Sequence, residues 1–239
     1  MKSPVRGRDG LRSLALLLLG ALVLFARPHS AMGGDADNLK TAQWICDALF
    51  SRFSPEEASV TVNGQRAFVT VKGLSLDGVR VERIRLDAKI DPSAKDLSSM
   101  VLFSRGELLL LEKDINSYFA KNEESGFRDL RFRLTPSGFE AQGIYSAKFI
   151  FNITVRLKAN GVLALKPDGI YLDQVGFFVE GRRQPEFFTN EVLRSLNPIL
   201  STSDLPFPVL FKQVQMGDGY VALISDLIPL GGPTARRVR

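Results

Sequence analysis

Histidine and cysteine are nearly absent from this sequence of 239 residues, which holds one of each, His29 and Cys46. A single cysteine cannot form a disulfide within the chain or supply the thiolates of a structural zinc or iron–sulfur site. Ser-His-Asp and Cys-His catalysis need a histidine, and His29 lies in or beside a segment that we expect to be removed. We therefore predict no catalytic residue, no metal site, no cofactor and no enzymatic activity.

Positive charge is concentrated at the start of the chain, where Lys2, Arg6, Arg8 and Arg12 precede an apolar run of thirteen residues, 14–26. Small residues follow the run, as in a secretory signal peptide. The run is shorter than the ~20 residues of a membrane-spanning helix. We assign residues 1–33 to a signal peptide, with an uncleaved anchor as the alternative. We expect an exported protein of the periplasm or cell envelope, either free or associated with the membrane.

Without residues 1–33, the net charge of +5 nearly vanishes, leaving 26 basic against 25 acidic side chains. Arg236, Arg237 and Arg239 form a basic tail, and residues 34–233 carry 23 basic against 25 acidic side chains. We expect a flexible tail over residues 227–239 that touches a membrane surface through these three arginines. The near-neutral remainder indicates that nucleic acid is not a partner.

Apolar periodicity predicts three helices in the remainder, over about residues 37–53, 112–119 and 185–196. Alternating apolar residues predict strands between them, including a hairpin turning at Asn63–Gly64 and a strand over residues 79–90 with a bulge near Glu82–Arg83. Residues 149–157 alternate over one long strand. We predict one α+β domain over residues 34–226: a long, curved, mostly antiparallel sheet with about three short helices packed on one face.

Phenylalanine is frequent, with 17 residues on both strands and helices. Phe177 and Phe178 are neighbours in a predicted strand, so they point to opposite faces and cannot both enter one core. A curved sheet with apolar side chains under short helices is able to enclose a groove for acyl chains, although such stripes more often form plain core.

The second half of the chain resembles the LmeA-like phospholipid-binding family of bacterial envelope proteins over about residues 55–225. The resemblance rests on a strand running into a helix, a hairpin, a long strand, a helix and a final pair of segments, at residues 107–116, 130–145, 149–157, 187–200, 205–208 and 214–223. It implies a non-catalytic phospholipid-binding protein with a fold similar to half of a tubular lipid-binding module.

Our first hypothesis is a lipid-binding protein that holds acyl chains in a Phe-rich groove between sheet and helices. The predicted lipid contacts are apolar on their inward faces: Ile115, Tyr118, Phe119, Phe149, Phe151, Ile153, Phe188 and Val192. The second hypothesis is an envelope scaffold whose exposed apolar face meets a protein partner. The third is a glycan hydrolase using Glu112 with Asp114 or Asp168 with Asp173, although such neighbouring acids are more typical of surface charges.

Overall fold

The computed structural model describes residues 34–121, 126–148, 152–203, 205 and 208–239, with the backbone alone at 147–148 and 152–153. The described helices are α1 (Asp35–Phe53), α2 (Leu97–Met100), α3 (Glu112–Lys121) and α4 (Glu186–Leu196). The strands are β1 (Glu57–Asn63), β2 (Arg66–Leu76), β3 (Val79–Ile90), β4 (Val101–Leu111), β5 (Phe127–Thr135), β6 (Gly138–Lys148), β7 (Asn152–Lys166), β8 (Gly169–Val179), β9 (Arg182–Arg183), β10 (Leu200–Ser201), β11 (Val209–Leu210), β12 (Gln213–Gly217), β13 (Tyr220–Ile224) and β14 (Thr234–Val238). The predicted signal segment lies outside the described residues.

Two sheets form the scaffold, and the α+β class is confirmed. Sheet 1 has eight strands in the order β12-β13-β4-β3-β2-β1-β14, with β11 beside β4. Sheet 2 has six strands in the order β10-β8-β7-β6-β5, with β9 beside β8. The sheet is mostly antiparallel, as predicted, but it is divided in two, because α3 separates β4 from β5 and the chain builds sheet 2 before β11–β14 return to sheet 1.

The hairpin between β1 and β2 turns one residue later than predicted. Asn63 pairs with Arg66, so the two-residue turn is Gly64–Gln65 rather than Asn63–Gly64. Gly64 has a φ of 57°, a conformation that glycine adopts without steric cost. Its backbone N–H donates to the side-chain oxygen of Asn38 in α1, which ties the turn to the helix.

The phase slip predicted in β3 is present, but it is shared with β2. Lys72 pairs with Arg83 and Leu74 with Val81, so the register between the two strands does not shift. Instead, the buried positions switch from odd to even residue numbers in both strands at this point. Gly73, between Lys72 and Leu74, has a φ of 62°. The predicted bulge near Glu82–Arg83 is therefore wrong, and a paired irregularity in both strands replaces it.

Part of the predicted flexible tail is an edge strand. β14 pairs antiparallel with β1, and its Ala235 is buried. Arg236 forms an ion pair with Glu57 at 2.9 Å and Arg237 with Asp47 at 2.8 Å. The prediction of a flexible tail is wrong for residues 234–238, because this strand satisfies the backbone groups that β1 would otherwise expose at the edge of sheet 1.

Helix α1 covers the inner face of sheet 1, as its periodicity predicts. Its buried residues include Ala42, Ile45, Cys46 and Leu49, and it packs against β1, β2 and β14. Burial raises the pKa of the Cys46 thiol, and the neighbouring Asp47 adds to that shift. Cys46 is therefore a buried core residue rather than a reactive thiol.

Helix α3 joins the two sheets at the free edge of β5. Asn116 accepts a hydrogen bond from the Phe132 backbone N–H at 2.6 Å and donates to the Phe132 carbonyl at 2.9 Å. Glu112 accepts from the Leu134 N–H at 2.7 Å. These side chains satisfy the edge of β5 as a neighbouring strand would. In addition, β12 of sheet 1 contacts β5 and β7, and β13 contacts β5.

Candidate functional site

Small side chains form a trough in the middle of the inner face of sheet 2. Across four neighbouring strands, Phe132 pairs with Ala141, Ala141 with Ala159, and Ala159 with Phe177. All four side chains are buried. Because paired residues of antiparallel strands share a face, this row places two alanines between two phenylalanines. In the adjacent row, Gly143 pairs with Leu157. The small residues of the trough are therefore Ala141 and Gly143 of β6 and Ala159 of β7.

Aromatic rings line both sides of the trough. On the β5 side, the Phe132 ring lies 5.3 Å from Phe119 of α3 and 5.7 Å from Phe139 of β6. On the other side, the Phe188 ring of α4 lies 5.9 Å from Tyr145 and 6.4 Å from Phe177. These edge and tilted contacts fall within the usual range of aromatic pairs, and the rings make the walls of the trough apolar.

Helix α4 covers the trough through Phe188, Val192 and Leu196, spaced at four residues on one face. Its ends are attached to β8. The Gln184 N–H donates to the Phe177 carbonyl at 2.8 Å. Asn197 accepts from the Leu172 N–H at 2.8 Å and donates to the Leu172 carbonyl at 3.1 Å.

A narrow apolar gap remains between the trough and its cover. It encloses ≈ 290 Å³ of space between atoms, part of it continuous with solvent, but only ≈ 10 Å³ is open to the centre of a water molecule. This is about room for one water, so the trough is closed in this structure. The gap lies between Phe127, Leu130, Phe132, Phe139, Ala141, Gly143, Leu157, Ala159, Leu172, Val175, Phe177 and Leu196. Gln142 also borders it, but its side chain lies on the opposite face of the sheet.

A second apolar gap lies between α1 and the inner face of sheet 1. It encloses ≈ 220 Å³ between atoms, and again only ≈ 10 Å³ is open to the centre of a water molecule. Its lining is aliphatic: Ile45, Ala67, Val69, Leu86, Ala88, Ile90 and Val101. Ala67 and Ala88 pair on neighbouring strands of this lining, so it too has small residues between branched ones. The trough of sheet 2 differs in that phenylalanine rings line it.

The predicted lipid contacts of α3 and α4 lie at opposite walls of the trough. Ile115 and Phe119 are buried in α3, and Phe119 contacts the trough through Phe132. Phe188 and Val192 lie in the cover. None of these four residues is part of the immediate lining of the gap.

Of the other four predicted contacts, one lies away from the trough and three have no described side chain. Tyr118 points towards the turn between β2 and β3, where its ring lies 3.4 Å from the position a Cβ would take at Gly78. Phe149 and Phe151 lie outside the described residues, and only the backbone of Ile153 is described. As lipid contacts, all eight predicted residues remain a prediction.

Sequence reasoning missed the two alanines that make the trough. The predicted lipid contacts are all large apolar side chains, whereas the space comes from Ala141, Gly143 and Ala159 between larger neighbours. A small residue at the same inward phase of two consecutive strands is the signal that would have found them.

Three of the four acids proposed for hydrolysis, Glu112, Asp114 and Asp168, make separate structural contacts. Glu112 accepts from the Leu134 backbone, and Asp114 forms an ion pair with Arg80 at 3.1 Å. Asp168 accepts a hydrogen bond of 2.6 Å from the Tyr171 hydroxyl, which raises the pKa of that phenol. Within the described ranges, no group of three or more His, Cys, Asp or Glu side chains is arranged to hold a metal ion.

Basic side chains of sheet 1 are paired with acids. Asp87 lies 2.8 Å from Arg66 and 3.0 Å from Arg105. Glu107 accepts hydrogen bonds from Arg83 and Arg85. Burial alone would raise the pKa of Glu107, but the hydrogen bonds and the positive charges of Arg85 and Arg83 together outweigh it and lower the pKa. The charges of this sheet are therefore largely compensated in place.

Together, two mostly antiparallel sheets and an apolar trough under a helix define a protein of the α+β class with an interior suited to apolar ligands. The LmeA-like phospholipid-binding family matches residues 56–224, more than half of the chain, and the protein belongs to that family. It is a lipid-binding family and not a known enzyme family. Comparison with curated proteins and with solved structures gives no match. In the part of the chain that the structure describes, no helix has the length and hydropathy to span a membrane.

Proposed function

We propose that this protein is an exported, non-catalytic phospholipid-binding protein of the bacterial cell envelope, which holds acyl chains in the trough of sheet 2. The observation that carries the proposal is the row Phe132–Ala141–Ala159–Phe177, with small residues between aromatic walls, in a chain of a phospholipid-binding family. An acyl chain is unbranched and apolar, so it matches a narrow trough whose lining is almost entirely carbon.

Entry of an acyl chain requires α4 to move away from sheet 2, because the gap is closed to anything larger than a water molecule. α4 suits this movement. Its first turn exposes Phe187 at 75% of its surface, and its contacts within sheet 2 are mainly to β8. The hydrogen bonds of Gln184 and Asn197 hold its two ends to β8. We propose that these attachments act as the hinges of a cover.

Export and envelope location are supported by the sequence of residues 1–33, with its basic start and its apolar run of thirteen residues. We also propose that Arg236, Arg237 and Arg239 contact a membrane surface, with less free charge than the sequence predicts. Arg236 and Arg237 are engaged with acids of sheet 1 and α1, and each keeps more than half of its side chain exposed.

Extraction of the native protein tests this function. The full protein, purified from its own envelope in mild detergent, is extracted with organic solvent, and the extract is quantified by mass spectrometry. We expect close to one phospholipid for each protein molecule. Protein recovered in folded form without stoichiometric lipid, both before and after incubation with phospholipid vesicles, would refute the proposed function.

A further inference from the structure

The outer face of sheet 2 carries a row of side chains that runs across five strands. Arg131 pairs with Gln142, Gln142 with Lys158, Lys158 with Phe178, and Phe178 with Arg183. Paired residues share a face, so these side chains all point away from the trough. With neighbouring strands about 4.8 Å apart, the row spans roughly 19 Å.

The next row adds two more arginines to the same face. Arg128 pairs with Ile144, and Ile144 pairs with Arg156. All of the basic residues in the two rows are exposed. We call this group the basic patch; it comprises Arg128, Arg131, Arg156, Lys158 and Arg183.

The basic patch carries an excess of positive charge. Among the residues that the structure describes, no acid lies within ion-pair distance of its five members, whereas the arginines of sheet 1 named above all have acid partners. Two acids lie among these cations: Asp129 lines a depression with Arg131 and Arg156, and Glu140, which faces Arg133 at 3.9 Å, lines one with Arg131 and Lys158. A third acid, Glu180, lies in the turn between β8 and β9. The patch therefore concentrates positive charge on a protein whose residues 34–233 are nearly neutral.

Apolar groups lie among these cations. Phe178 and Ile144 are half-buried on the same face. Arg131, Lys158 and Phe178 line a shallow depression of ≈ 490 Å³. Cations around a partly exposed aromatic ring suit the boundary between phosphate headgroups and acyl chains, where amphipathic and basic side chains are both favoured.

We propose that the basic patch docks the protein on the surface of an anionic phospholipid bilayer. Resting on the proposed function, this surface is where the protein would meet the membrane that supplies or receives its lipid. A bilayer is favoured over other polyanions because the family binds phospholipid. Docking through the outer face of sheet 2 leaves α4 unobstructed, since α4 lies on the opposite face.

Vesicle binding by three matched proteins tests the docking surface. The parent, the patch variant R131Q/R156Q/K158Q and the control variant K40Q/K113Q/K121Q are purified identically, and the control removes the same charge from exposed positions elsewhere. Binding to vesicles of phosphatidylcholine with 0 or about 30% phosphatidylglycerol is measured by flotation, at low and raised salt. The lipid content of each protein is measured in parallel, and this reports on the trough independently of docking.

We expect the patch variant to lose on the order of 100-fold in its partition onto anionic vesicles, since each basic residue near such a surface contributes about fivefold. The control variant should change little, and the patch variant should keep its bound lipid. Equal losses in both variants would overturn the proposal, because net charge alone would then explain binding. Parent protein that ignores anionic vesicles, or that binds a soluble polyanion such as heparin in preference to them, would overturn it as well.

Discussion

Replacing Ala159 by leucine distinguishes a ligand trough from a filled core. Ala159 lies on the floor of the trough, between Ala141 and Phe177, and its side chain is 9% exposed. The leucine would project into the space that the proposed acyl chain occupies. The backbone of β7 and its hydrogen bonds are unchanged by the substitution.

Two opposing contributions determine how Ala159→Leu changes the free energy of unfolding. The three added carbon atoms would gain about 2 kcal/mol if fully buried, at about 0.8 kcal/mol each. The gap is narrow, so strain takes back about 1–3 kcal/mol, the usual cost of overpacking. We expect the free energy of unfolding to stay within about 1 kcal/mol of the parent. Loss of about 2 kcal/mol of apolar contact with the acyl chain should weaken phospholipid binding at least tenfold.

The assay combines urea unfolding with titration of a fluorescent phospholipid. Ala58→Leu is the matched control: Ala58 is fully buried beneath α1, at a position that lines neither apolar gap. The control should lose about 1–3 kcal/mol of stability and keep the parent's affinity for lipid. An Ala159→Leu variant that binds phospholipid as tightly as the parent does would refute the trough as the lipid-binding site.

Two further predictions concern the joint between the sheets and the acids of sheet 1. Asn116→Ala leaves the backbone N–H and C=O of Phe132 without these partners, and should lower the free energy of unfolding by about 1–3 kcal/mol in a urea titration. As the control, Ser117→Ala at an exposed position should change the free energy of unfolding by less than about 0.5 kcal/mol. Equal effects of the two substitutions would contradict the role of α3 in joining the sheets. Because the pKa of Glu107 is lowered in the folded state, its stabilisation is present above its unfolded pKa of about 4.3 and is lost as the pH falls through the folded pKa. Glu107→Gln should therefore be less stable at pH 7 and show a flatter decline on acidification, and an unchanged slope would count against this contribution.

Local sequence patterns predicted the elements whose burial alternates regularly. The faces of α1 and α4 follow helical periodicity, and β7 keeps its inward residues Leu157 and Ala159 on odd positions. These patterns depend on which residues face the core, and burial dominates the choice of residue at those positions.

Local sequence patterns did not predict which strands distant in the sequence pair with each other. β14 pairs with β1, which lies far from it in the sequence. From composition alone, the residues of β14 resemble a charged tail. The division into two sheets depends on Asn116 and Glu112 bonding to the edge of β5, which no periodicity reports. The trough was missed for a related reason: its space depends on which small residues the register brings side by side.

The position of the bound acyl chain is the most direct measurement of the central claim. A phospholipid carrying a photoreactive group at the end of one acyl chain is loaded onto the purified protein and irradiated, and the labelled peptides are identified by mass spectrometry. Labelling is predicted on the inner faces of β6 and β7 and on α4, around Ala141, Ala159 and Leu196. Labelling confined to the gap between α1 and sheet 1, or to the outer face of sheet 2, would contradict the account.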